Sequence, residues 1–290
     1  YIDSLPTLVS KETNRLHSDF NQVVTATGRL SSSNPNLQNI PIKSEYGRKV
    51  RKAFVACDAD HVLVSADYSQ IELRVLAHMA NEPALLEAFH QGQDIHSRTA
   101  MEIFGVTADQ VTSDQRRVGK TLNFALIYMQ GPYATAKQLD ITMPQAKEFI
   151  DKYFNAFKHI KPFMDATLKA AHENEYTETL FGRRRYFRNI NSPNKALMKE
   201  EERQAFNAAL QGTAADIMKR AMINLYRKLQ DNKFRSQIIL QVHDELVLEV
   251  PRAEIEAVKA LVVQEMSNAA KLKVPLKVDV GLGNNWLEAG

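Results

Sequence analysis

The sequence predicts an α+β fold on three observations. A short apolar run at 62–66 ends at an acid, Asp67. Two alternating apolar runs over 237–250 flank His243-Asp244. Between them, from about residue 84 to 230, apolar residues recur at helical spacing. Strands that bracket a helical middle read as a sheet domain with a helical insertion.

Taken in order, residues 21–45 are polar and turn-rich, which predicts an extended segment held by side-chain hydrogen bonds. Val62, Leu63, Val64, Ser65 and Ala66 read as a short buried strand, and Leu73, Leu76, Ala77 and Ala80 follow at the spacing of a helix face. Turns near Gly105, Gly131-Pro132, Pro144, Gly182 and Ser192-Pro193 punctuate the helical middle. Ile238, Leu240 and Val242 alternate, then Leu246, Leu248 and Val250. This is a hairpin signature, although it lacks the Asn-Gly or Asp-Gly turn that would make it strong. A helix over roughly 252–270 and a final strand over 276–280 complete the chain, with no repeat or low-complexity tract.

Composition sets limits. The 290 residues suit one large domain or two smaller ones, and 44% apolar content is ample for a core. Basic residues exceed acidic ones by only 37 to 34, a net +3, which does not by itself indicate nucleic acid. Lys43, Arg48, Lys49, Arg51 and Lys52 crowd together, as do Arg183, Arg184, Arg185 and Arg188. A solvated face and a track for phosphates both fit such clusters. The single cysteine, Cys57, excludes an intrachain disulfide and a Cys-rich zinc site. No apolar run reaches membrane-spanning length and no signal peptide opens the chain, so no membrane partner and a soluble, reducing compartment are expected. A start at Tyr1 rather than Met reads as a piece of a longer polypeptide.

Asp67 lies where a buried strand gives out, and Asp244 lies at the tip of a tight hairpin. If the two strands are neighbours in one antiparallel sheet, the acids meet at one edge and repel unless cations sit between them. Magnesium is the natural cation, hard and oxygen-seeking. The plainer reading is that Asp67 caps the next helix and Asp244 makes the turn.

Residues 112–130 carry a second pattern. Thr112 and Gln115 fit a capping box and start a helix. Within it Arg116, Lys120, Phe124 and Tyr128 recur every fourth residue as one stripe, while Val118, Leu122, Leu126 and Met129 make a packing face. Such a stripe can bind a nucleotide lengthwise, phosphates toward the cations and base or sugar on the rings. A solvated cationic face with half-buried aromatics is the alternative. Gly119-Lys120-Thr121 is not a P-loop, because Asp114 stands where that motif needs glycine and no strand precedes it. Gly281-Leu282-Gly283 is too short for a dinucleotide signal, with Trp286 in the third glycine's place, and His17, His96 and His243 lack metal-ligand spacing.

Together these stretches, in this order, resemble the family A DNA polymerases of the bacterial DNA polymerase I type. Asp67-Tyr-Ser-Gln-Ile-Glu72-Leu-Arg is similar to motif A, Arg116-Arg117-x-x-Lys120-Thr-x-Asn-Phe124-x-x-x-Tyr128 to motif B, and Gln241-Val-His243-Asp244-Glu245 to motif C. The likeness extends to Thr25-Ala-Thr-Gly28-Arg29-Leu-Ser-Ser, Asn36-Leu-Gln-Asn-Ile-Pro41, Asp94-Ile-His96, Phe181-Gly-Arg-Arg-Arg185 and Gln211-Gly-Thr-Ala-Ala-Asp216, nearly the whole chain.

The resemblance implies an antiparallel palm sheet with a mostly helical fingers insertion, lacking most of the thumb. Its divisions fall at 1–95 for the first part of the palm with the end of the thumb, 96–199 for the fingers, and 200–290 for the rest of the palm. It implies two Mg2+ ions, with Mn2+ as a substitute, on Asp67 and Asp244, with Glu245 assisting catalysis. Arg116, Lys120 and His96 would contact the triphosphate, Phe124 and Tyr128 the nucleotide and nascent pair, and Glu72 the sugar 2′ position. Arg29, Arg203, Asn207 and Gln211 would hydrogen-bond primer–template in the minor groove, and His243 would support the primer terminus. Partners would be primer–template DNA and deoxynucleoside triphosphates, for a monomer in the bacterial cytoplasm associated with the nucleoid. A two-metal nuclease and a non-catalytic nucleic-acid-binding module are the alternatives. Two departures stand out. Met129 follows Tyr128 where the family usually has glycine, so the helix is expected to run up to two residues longer. Gly119 inside that helix costs roughly 1 kcal/mol relative to alanine and is read as easing a fingers motion.

Overall fold

A computed structural model of the chain describes residues 2–42 and 44–290; Tyr1 and Lys43, the latter one of the crowded cations, lie outside the described residues. In chain order the elements are β1 (Asp19–Asn21), β2 (Ser31–Ser33), α1 (Glu45–Lys52), β3 (His61–Tyr68), α2 (Ile71–Ala80), α3 (Pro83–His90) and α4 (Ile95–Phe104). Next come α5 (Ser113–Ile127), α6 (Pro132–Leu139), α7 (Met143–Ala156), α8 (Ile160–Asn174), β4 (Tyr176–Glu178), β5 (Arg184–Tyr186) and α9 (Lys195–Asp231). The chain closes with β6 (Gln237–Val242), β7 (Glu245–Pro251), α10 (Ile255–Ser267), β8 (Val278–Gly283) and α11 (Trp286–Ala289). Among the described residues no helix is long and apolar enough to cross a membrane.

The chain forms two compact units. One comprises 1–69, 215–271 and 276–290, and the other 70–214 with 272–275. The divisions expected at 95/96 and 199/200 both fall inside the second unit: α2 and α3 join the helices that follow, and α9 runs through 199/200 without a break.

The first unit is built on an antiparallel sheet in the order β6-β7-β3-β8. Because side chains alternate across a strand, β3 presents His61, Leu63, Ser65 and Asp67 to one face and Val62, Val64, Ala66 and Tyr68 to the other. On the first face Leu63 joins a core with Leu37, Ile40, Leu240, Val247 and Trp286. On the second, the Tyr68 hydroxyl donates to the Met266 carbonyl at the end of α10 (2.7 Å). The final strand is displaced from the expected 276–280: its register against β3 runs from Tyr68↔Val278 to Leu63↔Gly283. Gly281 and Gly283 lie within the strand, Gly283 as its last residue, and both make room for α11. A Cβ at Gly281 would lie 2.0 Å from the Ala289 carbonyl oxygen, and one at Gly283 would lie 2.4 Å from Glu288 Cβ.

The polar segment 21–45 is held as expected by side chains. Thr25 Oγ1 donates to the Arg29 carbonyl (2.5 Å), Ser32 Oγ accepts from Leu37 N (3.0 Å), and Asn36 Oδ1 accepts from Gln38 N (3.0 Å).

In the second unit Leu73, Leu76, Ala77 and Ala80 are buried along α2 as their spacing predicts. Gly119 has a packing role, since a Cβ there would lie 2.3 Å from the His96 carbonyl oxygen where α5 crosses α4. The β4–β5 hairpin interrupts the helical middle and was not expected. Arg184 stacks over Tyr176 (4.5 Å) and Arg185 over Phe187 (5.0 Å), so two of the four crowded arginines pack on rings instead of lying bare in solvent.

The extension of α5 beyond Tyr128 does not occur. The helix ends at Ile127, and Met129 itself takes the left-handed conformation at φ 49°. Gln130 N donates to the Ala125 carbonyl (2.7 Å) and Met129 N to the Leu126 carbonyl (3.0 Å), the paired bonds of a Schellman ending. These bonds, and Gly131-Pro132 opening α6, outweigh the roughly 1–2 kcal/mol cost of a side chain in that conformation. Met129→Gly is therefore expected to be at least as stable as the parent chain. Met129→Val, which adds β-branching to the strain, is expected to lose about 1–2 kcal/mol. Urea midpoints of the two variants decide, and equal midpoints would contradict the strain.

Candidate active site

The pleat and register of the sheet place acids side by side. Asp67 on β3 pairs with Glu245 on β7 and with Asp279 on β8, so three carboxylates form a row across adjacent strands. Asp244 occupies the turn between β6 and β7, and its carbonyl accepts from Tyr68 N (3.0 Å), which ties the hairpin tip to the end of β3. His243 makes that two-residue turn with φ 51°, supplying the conformation for which no glycine is present. Asp67 and Asp244 thus come together as expected. They line a cleft of about 880 Å³ with Glu245, Asp279, Arg51 and His243.

Like charges directly opposite in a sheet repel. The Asp67 side chain stays exposed to the cleft, yet lost hydration, followed by the fields of Asp244, Glu245 and Asp279, pushes its carboxyl up from 3.8 to about 7. Asp244 is also raised, by desolvation, against the pull of Arg29, whose guanidinium stands 3.7 Å from Asp244 Oδ1, and of His243. Glu245 is fixed from three sides: Ser65 Oγ donates to its Oε1 (2.7 Å), Trp286 Nε1 donates to the same oxygen (2.9 Å), and the buried Arg51 stands 3.8 Å from Oε2. Arg51 in turn stacks over Trp286 at 4.0 Å.

An acid whose pKa rises on folding takes up a proton as the chain folds. The Asp67 contribution to stability is therefore greatest below its ordinary 3.8 and is lost as pH rises through about 7. Divalent-free protein is expected to lose melting temperature across that interval, Mg2+ is expected to restore it above neutrality, and Asp67→Asn is expected to weaken both effects, the remainder resting on Asp244, whose carboxyl is also raised. Melting curves with and without Mg2+ provide the check, and an unchanged pH response in Asp67→Asn would contradict the assignment.

In the second unit, α5 starts as the capping box predicts. Thr112 Oγ1 accepts from Gln115 N (3.2 Å) and Gln115 Oε1 from Thr112 N (3.0 Å). Leu122 and Leu126 are buried, whereas Arg116, Lys120 and Tyr128 are exposed and Phe124 is half-buried, so the stripe faces outward. Arg116 is gripped by Asp94 through Nε (3.1 Å) and Nη2 (2.7 Å), which lowers the Asp94 carboxyl to about 2 against its desolvation. His96 is buried beside Phe124, at 5.9 Å between ring centroids. Desolvation is the main cause holding its imidazole down at about 4, so the ring is neutral. Asn123 Nδ2 donates to His96 Nδ1 (3.1 Å) and Thr99 donates to Asn123 Oδ1 (3.1 Å), which leaves the His96 proton on Nε2. Glu72 is buried in the first turn of α2.

Arg203, Asn207 and Gln211 share one face of α9 at spacings of four. Arg203 pairs with Glu200, Gln211 Nε2 donates to the Tyr128 hydroxyl (3.4 Å), and Asn207 Nδ2 is buried without a hydrogen-bond partner among the described residues.

Sequence reasoning missed four contributors. Asp279 was placed in the last strand, but its opposition to Asp67 appears only once the strands are paired. Ser65 reads as strand interior, Arg51 as one of a basic cluster that fits a solvated face or a phosphate track, and Trp286 only as a residue in a glycine's place. The lone tryptophan close to the chain's end was the available signal.

An antiparallel sheet thus gathers carboxylates at a hairpin tip and at the end of the neighbouring strand, and a helical segment lies between its strands in sequence. The family model described as DNA polymerase family A matches residues 1–288. The chain belongs to that family. It is 47% identical over 289 residues to DNA polymerase I of Bacillus caldotenax and 49% identical over 289 residues to that of Pseudomonas aeruginosa, covering all of this chain but 33% and 32% of theirs. A solved structure described as the POL domain of Pol1 from M. smegmatis in complex with DNA primer-template and dNTP matches with a TM-score of 0.96 at 44% identity, over 99% of this chain and 51% of that one. The chain thus spans about a third of the length of the curated relatives it matches.

Proposed function

We propose that this chain is the polymerising core of a DNA-directed DNA polymerase, adding deoxynucleoside triphosphates to a primer 3′-hydroxyl against a template and releasing pyrophosphate. The observation that carries the reading is the carboxylate row on β3, β7 and β8 with Asp244 on the adjoining turn. Its hard oxygen donors and the mutual repulsion at Asp67 fit Mg2+, with Mn2+ as a substitute, and Asp67 and Asp244 are the residues to hold two such ions. When bound, the ions lower the pKa of the 3′-hydroxyl and offset charge on the leaving pyrophosphate.

The chain's own residues do the rest. Glu245, clamped by Ser65, Trp286 and Arg51, keeps its carboxylate beside Asp67. Lys120 and Arg116 bind the triphosphate, with Arg116 exchanging Asp94 for phosphate oxygens. His96 donates its Nε2 proton to a phosphate oxygen as a neutral group. Phe124 lies against the nucleotide and Tyr128 beside the nascent pair. Arg29, Arg203, Asn207 and Gln211 hydrogen-bond in the minor groove, where the base pairs share acceptor positions, and His243 supports the primer terminus. On this reading the sheet-bearing unit is palm and the helices of α4 to α8 are fingers, in a monomer working on DNA in the cytoplasm at the nucleoid.

Glu72 crowds the sugar 2′ position. Glu72→Ala is therefore expected to raise ribonucleotide incorporation relative to deoxynucleotide incorporation by about 10–100-fold, and an unchanged ratio in competition assays would remove that role. The reading as a whole is tested with a labelled primer–template and Mg2+. Lengthening is expected, shortening would mean a two-metal nuclease, and binding with no change in length would mean a non-catalytic module.

A further inference from the structure

At the other end of β3 a second group of donors converges. Cys57, Asp58 and His61 each offer one ligand atom, and these atoms lie within 4.8 Å of one another. A tight turn brings them together: Asp58 Oδ1 accepts from Asp60 N (2.9 Å) and lies 2.6 Å from His61 Nδ1. His61 pairs with Pro251 on β7, so Glu249, two residues earlier on the same face, stands diagonally across from it. The Glu249 carboxylate accepts from Cys57 N (2.9 Å) and is held by Arg15 through both guanidinium nitrogens at 3.1–3.2 Å. Cys57, His61 and Glu249 line one cavity of about 400 Å³ together with Ser236 and Gln237.

The donor chemistry differs from that of the row at Asp67. There every donor is a carboxylate oxygen, which suits a hard ion. Here a thiol, an imidazole and a carboxylate stand together, the set that selects a borderline-soft divalent ion with tetrahedral preference. Asp67 lies six residue steps along the strand from His61, about 20 Å at the rise of a β-strand. One strand thus presents a hard-donor site at one end and a soft-donor site at the other.

We propose that Cys57, Asp58 and His61 form a binding site for a zinc-class divalent cation, with a fourth position open to water or to Glu249, which pins the 57–61 turn to the start of β3. Binding exchanges the Cys57 thiol proton, released to solvent, for the metal–sulfur bond, while His61 binds as neutral imidazole. Polymerisation does not draw on this site, so it stands or falls independently of the proposed function.

The single cysteine makes the test specific. The reduced, chelator-treated chain is titrated with Co2+, and the near-ultraviolet thiolate-to-cobalt charge-transfer absorption is followed. We expect a band that saturates at one ion per chain, is displaced by Zn2+, and persists in Asp244→Asn. Cys57→Ser should abolish it. His61→Ala and Asp58→Ala should each weaken Co2+ affinity by about 10-fold or more, with circular dichroism confirming that the variants fold. No band, or a band of undiminished affinity in both His61→Ala and Asp58→Ala, would overturn the site and leave a lone reactive thiol.

Discussion

Asp67→Asn and Asp244→Asn are each expected to reduce nucleotide addition by on the order of 1,000-fold or more while the fold persists. Asparagine keeps the size and much of the hydrogen bonding of aspartate but removes the negative charge that a divalent ion requires. The sheet does not need that charge. Asp67 faces Glu245 and Asp279 across its neighbouring strands, and the fields of those acids help push its carboxyl to about 7. Removing a charge from such a row relieves repulsion. The Asp67→Asn variant should therefore melt no lower than the parent in divalent-free buffer while losing activity. Near-normal activity in either variant refutes the assignment, and an inactive variant that is also unfolded would show that these carboxylates serve the fold.

Lys120→Ala carries the second large effect. Lys120 is exposed on α5, one turn beyond Arg116 and one turn before Phe124, with no share in the buried Leu122–Leu126 face. Deleting it should leave the helix intact. A cation placed to meet transferring phosphates is worth on the order of 100–1,000-fold in reaction efficiency. That loss is expected in kcat/KM for the nucleotide, whereas affinity for primer–template should change only slightly. Separate titrations of nucleotide and DNA distinguish the outcomes, and a loss confined to DNA binding would move Lys120 from the triphosphate to the template.

Local features were legible in the sequence because their causes are local. The Thr112–Gln115 capping box, the two alternating runs around His243-Asp244 and the buried face of α2 each depend on residues a few positions apart. The meeting of Asp67 with Asp244 was legible only as a condition, that β3 and the hairpin be neighbours, and pairing of β3 with β7 meets it. What escaped depends on distant parts of the chain closing on each other. Glu245 is held by Trp286 because Gly281 and Gly283 let α11 lie directly on β8, and no spacing within the hairpin foretells that. In sequence Arg51 fits a solvated face or a phosphate track equally, and only the fold puts its guanidinium over the Trp286 ring. Met129 shows the opposite failure. A residue rule predicted a longer helix, but the hydrogen bonds of the ending and the Gly131-Pro132 that follows decided the conformation.

The central claim is that the carboxylates at the end of β3 and at the hairpin turn serve template-directed addition. The most direct measurement offers each of the four deoxynucleoside triphosphates separately to a primer set against each template base, with Mg2+ and with chelator. The account predicts Mg2+-dependent addition of the complementary nucleotide, strongly favoured over the other three. Addition indifferent to the template base, or none at all from folded protein that binds the DNA, would contradict it.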